Sequence, residues 1–293
     1  MSDPLTLDKR LARRSFERAA ATYDAAAVLQ DEVCQRMLAR LDYIKVDPAL
    51  VLDAGSGTGN ALSGLLARYP RSRVIALDLA LAMAQRARAR RPWWKTLLGG
   101  GGSRLAVVCG DIERLPLATG RAGMVWSNLA LQWMVDPKRA FSEMHRVLAP
   151  GGLLLFSSFG PDTLKELRAA FREVDRHTHV HRFIDMHDVG DLLVASGFAD
   201  PVMDMELVTL TYSGVRDLMR DLKAIGARNM TLGRRAGLGG RSWLERVAHN
   251  YETYRRDGRL PATFEVIYGH AWKPQPRVSP TGRPVIDIKP QDR

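Results

Sequence analysis

An aspartate and three alternating glycines follow an apolar run in the segment VLDAGSGTGN, and these residue types at this spacing could hold a cofactor. The aspartate is Asp53, and the glycines are Gly55, Gly57 and Gly59. Such glycines predict the tight turn between a strand and a helix, where a nucleotide-like cofactor lies against bare backbone. The dinucleotide fingerprint G-x-G-x-x-G does not fit, because Asn60 or Leu62 occupies the position of its third glycine.

The same segment matches the pattern D-x-G-x-G-x-G. It resembles the first motif of class I S-adenosylmethionine-dependent methyltransferases. The resemblance implies that the amino-acid half of the cofactor lies on the glycine turn, with Asp53 available to its ammonium group. A glycine-rich turn without any ligand is the alternative that this motif alone leaves open.

Two more aspartates follow the next two predicted strands. Asp78 directly follows the run 74–77. At that position its carboxylate can accept hydrogen bonds from both ribose hydroxyls. Asp111 follows the run 105–109 and can accept from the adenine amine, while Ile112 covers a ring face. Each aspartate alone is also a common helix N-cap or turn residue. Three carboxylates at the carboxyl ends of successive strands nevertheless favour a ligand site.

Asn128 follows the fourth predicted strand, where acceptor substrates usually meet the cofactor in this fold. The predicted cofactor site therefore comprises Asp53, Gly55, Ser56, Gly57, Gly59, Asp78, Leu79, Asp111, Ile112 and Asn128.

Apolar runs alternate with helical periodicity along the chain, which predicts an α/β fold with a doubly wound, mostly parallel sheet. Later predicted strands span 122–127, 153–158, 201–212 and 263–272, and predicted helices span 136–148, 162–174 and 213–227. The count suits seven strands. Their order, 3-2-1-4-5-7-6 with the last strand antiparallel, is implied by the methyltransferase resemblance.

The chain divides into three predicted parts. Residues 1–47 form an N-terminal helical lid, residues 48–273 form the methyltransferase domain with a helical insertion around 159–260, and residues 274–293 form a disordered tail. An unusually long connection carries Trp93-Trp94 and Gly99 to Gly102. We expect it to fold onto the adjacent helix or to dock a partner.

The net charge is +11, and residues 213–293 contain 16 basic and 8 acidic residues. This excess fits either solvated helix faces or an acidic partner. Nucleic acid is disfavoured because the chain lacks the aromatic and basic pattern of an RNA-binding module. A small acidic carrier protein would be steered by such a field.

Three further features restrict the class of protein that this chain can be. No apolar run approaches 18 residues and the N-terminus lacks the apolar core of a secretory signal, so we expect a cytoplasmic protein that does not span a membrane. Cys34 and Cys109, the latter in a predicted buried strand, indicate neither a disulfide framework nor a metal cluster. The alternating His177, His179 and His181 are expected to be loop histidines and not metal ligands.

Several segments outside the cofactor motifs are specific enough to indicate a family. They are Arg14-Ser15-Phe16, Ala19-Ala20, Tyr23-Asp24, Leu29-Gln30, Asn128 to Trp133, His181-Arg182-Phe183 and Leu222 to Ala227. They resemble the malonyl-acyl-carrier-protein O-methyltransferase family of biotin synthesis, from about residue 9 to residue 273. The resemblance implies methyl transfer to the free carboxylate of a malonyl thioester on acyl carrier protein, without a catalytic acid or base.

Four residues are candidates for the acceptor side of this reaction. Tyr23 is expected to lie over the cofactor with its hydroxyl near the methyl group, and Asn128 is expected closest to the chemistry. Arg182 is expected to hold the malonyl carboxylate, because an arginine fork matches a carboxylate. Lys223 is expected to serve the malonyl group or the carrier's phosphopantetheine phosphate. Packing or solvated-surface roles are the alternatives for Tyr23, Arg182 and Lys223.

Two other functions share the cofactor loop. One is a methyltransferase of the same fold that acts on another small carboxylate or a quinone precursor. The other rests on the segments 159–168 and 261–264, which resemble a mitochondrial assembly factor of respiratory complex I linked to hydroxylation of a protein arginine. The runs 128–133 and 223–227 favour the malonyl-acyl-carrier-protein enzyme.

Overall fold

The computed structural model describes residues 6–90, 103–234 and 240–276. Its strands are β1 (Leu50–Ala54), β2 (Arg73–Asp78), β3 (Leu105–Cys109), β4 (Ala122–Ser127), β5 (Leu148–Phe159), β6 (Ala199–Tyr212) and β7 (Leu260–Trp272). They form a seven-stranded sheet in the order β3-β2-β1-β4-β5-β7-β6. Strands β1 to β5 pair in parallel, and β7 runs antiparallel to both β5 and β6. The predicted fold class and strand order are therefore confirmed.

Helices precede the sheet and connect its strands. They are α1 (Lys9–Ala19), α2 (Tyr23–Ala26), α3 (Val28–Arg40), α4 (Leu62–Arg68), α5 (Leu81–Ala89), α6 (Pro137–Val147), α7 (Lys165–Arg172), α8 (Met186–Ala195), α9 (Val215–Ala224) and α10 (Arg241–Glu252). Local sequence explains where several of them begin. Asp8 caps α1 by accepting from two backbone N–H groups, and Asp136 caps α6 next to Pro137.

The sheet centre is apolar on both faces, as expected for parallel strands covered by helices on each side. Leu52 and Phe156 pack on one face with Phe141 of α6. Trp126 and Leu155 pack on the other face, against the N-terminal helix α3 and the helical insertion. This core fixes the carboxyl ends of β1, β2 and β4 at one edge of the sheet.

Some element boundaries differ from the sequence prediction. Strand β5 begins at Leu148, so Pro150-Gly151-Gly152 lie within its range and do not separate it from the preceding helix. The helix predicted from 162 begins only at Lys165, because Leu164 has a φ angle of 55°, which an α-helix cannot include. Cys109 is exposed and not buried, because β3 lies at the edge of the sheet.

The division of the chain into an N-terminal lid, a methyltransferase domain and a C-terminal tail stays a prediction. The Trp93-Trp94 and Gly99 to Gly102 connection lies outside the described residues, as do residues 277–293 of the predicted tail. Within the described ranges, every helix is too short or too polar to cross a lipid bilayer.

Candidate active site

The glycine turn after β1 forms the floor of a cavity at the carboxyl edge of the sheet, which we call the main cavity. Gly55 and Gly57 have φ angles of 82° and 54°. The N–H groups of Gly55 and Ser56 donate to the carbonyl oxygen of Leu77 at 2.8 and 2.9 Å, so β2 holds the turn in place. A Cβ at Gly55 would collide with the Cβ of Ala130, whereas one at Gly57 would meet no atom within 4 Å. Gly57 therefore faces open space.

Asp78 ends β2 beside the glycine turn and lines the main cavity. Its carboxylate accepts hydrogen bonds from the N–H groups of Gly57, at 2.9 Å, and Ala80, at 2.8 Å. Burial raises the pKa of Asp78 to about 6, although these two hydrogen bonds favour the charged form. Asp78 thus shapes the turn as well as lining the main cavity.

Asp53 lies at the end of β1, directly before the turn, and is 1% exposed. Its Oδ2 has no hydrogen-bond partner within the described parts of the chain. Burial, and then the negative charge of Asp78, raise the pKa of Asp53 to about 8. Burying a carboxylate with an unsatisfied oxygen is costly, so a cationic group bound nearby would stabilise its charged form.

Asp111 and Ile112 follow β3 at the same edge and line the main cavity. The Lys9 Nζ of α1 lies 2.7 Å from Asp111 Oδ2 and also contacts the carboxylate of Glu113. These ion pairs fasten the start of α1 over the cavity. An adenine amine would share the Asp111 carboxylate with Lys9.

Two further contacts hold α1 against this edge. The Glu17 carboxylate accepts from the N–H groups of Leu81, at 2.8 Å, and Ala82, at 2.9 Å, and so caps the start of α5. The Phe16 ring meets Trp133 edge-to-face, with centroids 5.3 Å apart. Helix α1 consequently forms the roof of the main cavity.

The far end of the main cavity is mostly aromatic and aliphatic. Its apolar lining includes Phe16, Trp133, Phe159, Leu164, Leu167, Phe183, Leu222, Ile225 and Phe264. His181 lies among them, 6% exposed, with its ring centroid 5.0 Å from that of Trp133 and 4.4 Å from that of Phe183. Burial lowers the pKa of His181 to about 4, so the imidazole is neutral at neutral pH. Its Nε2 has no hydrogen-bond partner among the described residues.

Tyr23 and Asn128 were both expected near the chemistry, and the structure gives them different places. Tyr23 lines the main cavity, and burial together with nearby carboxylates raises its pKa. Asn128 donates through Nδ2 to the carbonyl oxygen of Gln30 at 3.0 Å, and its Oδ1 accepts from Ser157 Oγ at 2.8 Å. Both ends of the Asn128 amide therefore tie α3 to the sheet.

The structure does not bring Arg182 or Lys223 into the main cavity. Arg182 is exposed and lines a separate cavity with Pro137 and Val189, because the side chains of this segment alternate and His181 takes the inward position. Lys223 is exposed and lines a cavity on the other side of α1.

Among the described residues, Lys9 and Arg228 are the lysine and arginine side chains that line the main cavity. Sequence reasoning missed both of them, as well as the buried neutral His181. Lys9 pairs with a residue 102 positions away, which no local pattern reveals. The family-like segments did contain His181, but only its burial shows that its imidazole faces the cavity uncharged.

The alternating histidines have separate surroundings. His179 stacks on Phe171 with centroids 4.1 Å apart, and its Nε2 lies 2.7 Å from Asp175 Oδ1. His177 is exposed. In residues 6–90, 103–234 and 240–276, no group of three or more His, Cys, Asp or Glu side chains is arranged to hold a metal ion.

Comparison with known proteins shows which family the chain belongs to. Residues 52–156 match the family described as methyltransferase domain. A malonyl-[acyl-carrier protein] O-methyltransferase of Gallionella capsiferriformans is 57% identical over 280 residues, covering 96% of this chain and 96% of the relative. The enzyme of the same name from Nitrosospira multiformis is 59% identical over 281 residues, covering 93% and 92%. The chain belongs to the malonyl-[acyl-carrier protein] O-methyltransferase family.

Solved structures share the fold of this family member at low sequence identity. The YcgJ protein of Bacillus subtilis superposes with a TM-score of 0.57 at 14% identity, covering 82% of this chain and 99% of that one. The [4+2]-cyclase SpnF superposes with a TM-score of 0.52 at 19% identity, covering 84% and 81%. Because the same fold also occurs in a cyclase, the family membership and not the fold identifies the reaction.

The protein is therefore an S-adenosylmethionine-dependent O-methyltransferase, as the sequence predicted. The residues around the glycine turn fit this cofactor. The space above Gly57 is open, and the unsatisfied buried carboxylate of Asp53 suits an ammonium group. Asp78 lines the same cavity and keeps lone pairs for hydroxyl donors beyond its two backbone bonds.

Proposed function

We propose that the protein transfers the methyl group of S-adenosylmethionine to the free carboxylate of malonyl-[acyl-carrier protein], which gives the methyl ester. The observation that carries this proposal is the identity of 57% and 59% to two enzymes of that name over more than nine-tenths of the chain. We also propose that the reaction is an early step of biotin synthesis in the cytoplasm. The apolar end of the main cavity supports an acceptor that must lose its water.

The glycine turn and the strand-end aspartates would hold the cofactor, which when bound supplies an electrophilic methyl group on a sulfonium. Asp53 would face the ammonium group and Asp78 would accept from the ribose hydroxyls. Ile112 would cover the adenine ring, and Asp111 would accept from the adenine amine while it is paired with Lys9.

The acceptor needs desolvation more than it needs proton transfer. A malonyl carboxyl group with a pKa of roughly 4 is ionised at neutral pH, so no general base is required. A hydrated carboxylate is a weak nucleophile, and the aromatic end of the main cavity would exclude its water. Because opposite charges neutralise as the methyl group moves, an apolar site does not penalise the transition state.

Two neutral donors are suited to orient the carboxylate. Burial and then the charges of Asp78, Asp31 and Asp24 raise the pKa of Tyr23, so its hydroxyl stays protonated. His181 is uncharged because burial lowers its pKa. Neutral donors stabilise a carboxylate less than an arginine does, so they orient it without holding it in its ground state. We assign Tyr23 and His181 this role.

Transfer of radiolabelled methyl groups tests the proposed function. The purified protein is expected to label malonyl-[acyl-carrier protein] and to leave carrier without the malonyl group unlabelled. Mild alkali should release the label as methanol, because a methyl ester hydrolyses and an N-methyl group does not. The proposal is overturned if trans-aconitate, a quinone precursor or a protein arginine is modified and no malonyl thioester is labelled.

Tyr23→Phe is expected to lower kcat/KM for malonyl-[acyl-carrier protein] by roughly 10- to 150-fold, because a hydrogen bond to a charged group contributes about 1.5–3 kcal/mol. The ring and its packing against Met83 and Phe16 remain, so the Kd for S-adenosylmethionine should not change. Steady-state kinetics and calorimetry measure the two effects. Tyr43→Phe, at a side chain that is 91% exposed, is the matched control. A parallel loss of cofactor affinity would contradict the acceptor-side role.

A further inference from the structure

A second cavity lies on the other side of α1 from the main cavity, and we call it the cationic cavity. The charged side chains of its described lining are all basic: Arg14, Arg18, Arg220, Lys223, Arg228 and Arg234. Each of them is exposed. Its described lining contains no acidic residue. The cavity therefore concentrates positive charge at one place on the surface.

Most of this charge is not neutralised by the residues that the structure describes. Arg220 forms an ion pair with Asp217 at 2.9 Å, and Arg234 donates to the carbonyl oxygen of Thr231 at 3.2 Å. The described part of the chain offers no ion pair or side-chain hydrogen bond to the other four, which are Arg14, Arg18, Lys223 and Arg228. With respect to residues 6–90, 103–234 and 240–276, four side chains are thus available to an anion.

Hydrogen bonds between its two walls fix the shape of the cationic cavity. Ser15 Oγ donates to the carbonyl oxygen of Gly226 at 2.9 Å, and Thr22 Oγ1 donates to that of Ala224 at 2.8 Å. These bonds join α1 to the end of α9 and the residues after it. The basic side chains consequently project from two elements that are held together.

The cationic cavity and the main cavity meet at two shared residues. Arg228 and Asn229 line both of them. Helix α1 separates the other parts of the two cavities. Phe16 faces the main cavity, and Arg14 and Arg18 line the cationic cavity. An elongated substrate that passed Arg228 would have its two ends in different cavities.

We propose that the cationic cavity binds the phosphodiester of the phosphopantetheine arm that carries the malonyl group. This inference rests on the proposed function. Arginine forks and lysine ammonium groups both bind phosphate oxygens. The uncharged part of the arm would pass Arg228 and bring the malonyl carboxylate to the apolar end of the main cavity. The phosphate then supplies recognition at a distance from the reacting atoms.

The decisive comparison uses two small substrates that differ only by the phosphate, malonyl-phosphopantetheine and malonyl-pantetheine. The phosphorylated thioester is expected to have a KM at least tenfold lower. In the double variant Arg14→Ala/Lys223→Ala this advantage should be lost, while the KM for malonyl-pantetheine stays the same. Arg71→Ala, at a side chain that is 83% exposed beside the amino end of β2, is the matched control and should preserve the advantage.

A direct binding measurement tests this inference independently of the proposed function. Calorimetric titration with phosphopantetheine needs no methyl transfer, and the double variant should bind it at least tenfold more weakly than the unchanged protein does. Equal KM values for the two thioesters would overturn the inference. So would a double variant that weakens use of the whole carrier but not of malonyl-phosphopantetheine, because the cavity would then recognise the acidic surface of the carrier. If no malonyl thioester is methylated, the proposed function fails while the titration still reports on the cavity.

Discussion

Gly57→Ala is expected to weaken binding of S-adenosylmethionine by roughly 5- to 150-fold without preventing folding. The added methyl group would meet no protein atom within 4 Å, so the protein itself has room for it. It would instead enter the space above the turn that we assign to the cofactor, and overpacking of this kind costs about 1–3 kcal/mol. Calorimetry measures the Kd, and thermal unfolding measures the stability.

Gly120→Ala separates the loss of cofactor space from backbone strain. Gly120 has a φ angle of 69°, close to the 54° of Gly57, and a Cβ there also meets nothing within 4 Å. Both substitutions therefore carry a similar strain of about 1–2 kcal/mol. Only Gly57 lines the main cavity, so only its variant should lose affinity. Unchanged affinity in Gly57→Ala would show that the cofactor does not lie on the turn.

Asp53→Asn is expected to make the ligand-free protein more stable at pH 8 and to flatten the dependence of its stability on pH. An aspartate in the unfolded chain loses its proton near pH 3.8, whereas burial holds the pKa of Asp53 at about 8 in the folded protein. Between these values the folded state binds a proton that the unfolded state has released. The free energy of unfolding therefore falls as the pH rises through this window, by at most about 1.4 kcal/mol per pH unit.

The same substitution should weaken cofactor binding, because an amide cannot pair with an ammonium group as a carboxylate does. A loss of roughly 10- to 150-fold in Kd corresponds to a charged hydrogen bond of about 1.5–3 kcal/mol. Denaturant unfolding at pH 5, 6, 7 and 8 gives the pH dependence, and Asp47→Asn at an exposed ion pair is the control. An unaltered slope would contradict the raised pKa of Asp53, and an unaltered Kd would contradict its place beside the ammonium group.

The sheet could be predicted from the sequence because buried parallel strands are continuous apolar runs. The run 122–127 coincides with the buried strand β4. The run 105–109 coincides with β3, although β3 is an edge strand that is only partly buried. The predicted positions of the strand ends were less accurate. Strand β7 begins at Leu260, where it pairs with Tyr212 of the neighbouring strand β6. The local sequence does not indicate this pairing between residues far apart in the chain.

The glycine-turn end of the main cavity was easier to predict from the sequence than its apolar end, for a similar reason. The glycine turn and Asp78 lie directly at strand ends, so topology alone places them together. The apolar end of the main cavity, which we assign to the acceptor, is lined by α1 and the helical insertion. The relative placement of these elements depends on distant contacts such as Lys9 with Asp111. Arg182 has suitable chemistry for a carboxylate, but the path of its segment turns it away from the main cavity.

Helix α1 contributes to two cavities at once, with Phe16 facing one and Arg14 facing the other. Any ligand that orders this helix from one side reduces the conformational entropy that a ligand on the other side must remove. Such coupling is reciprocal, since each ligand raises the affinity of the other by the same factor. An eleven-residue helix that both ligands ordered would make binding in the two cavities mutually cooperative, without any change in the sheet.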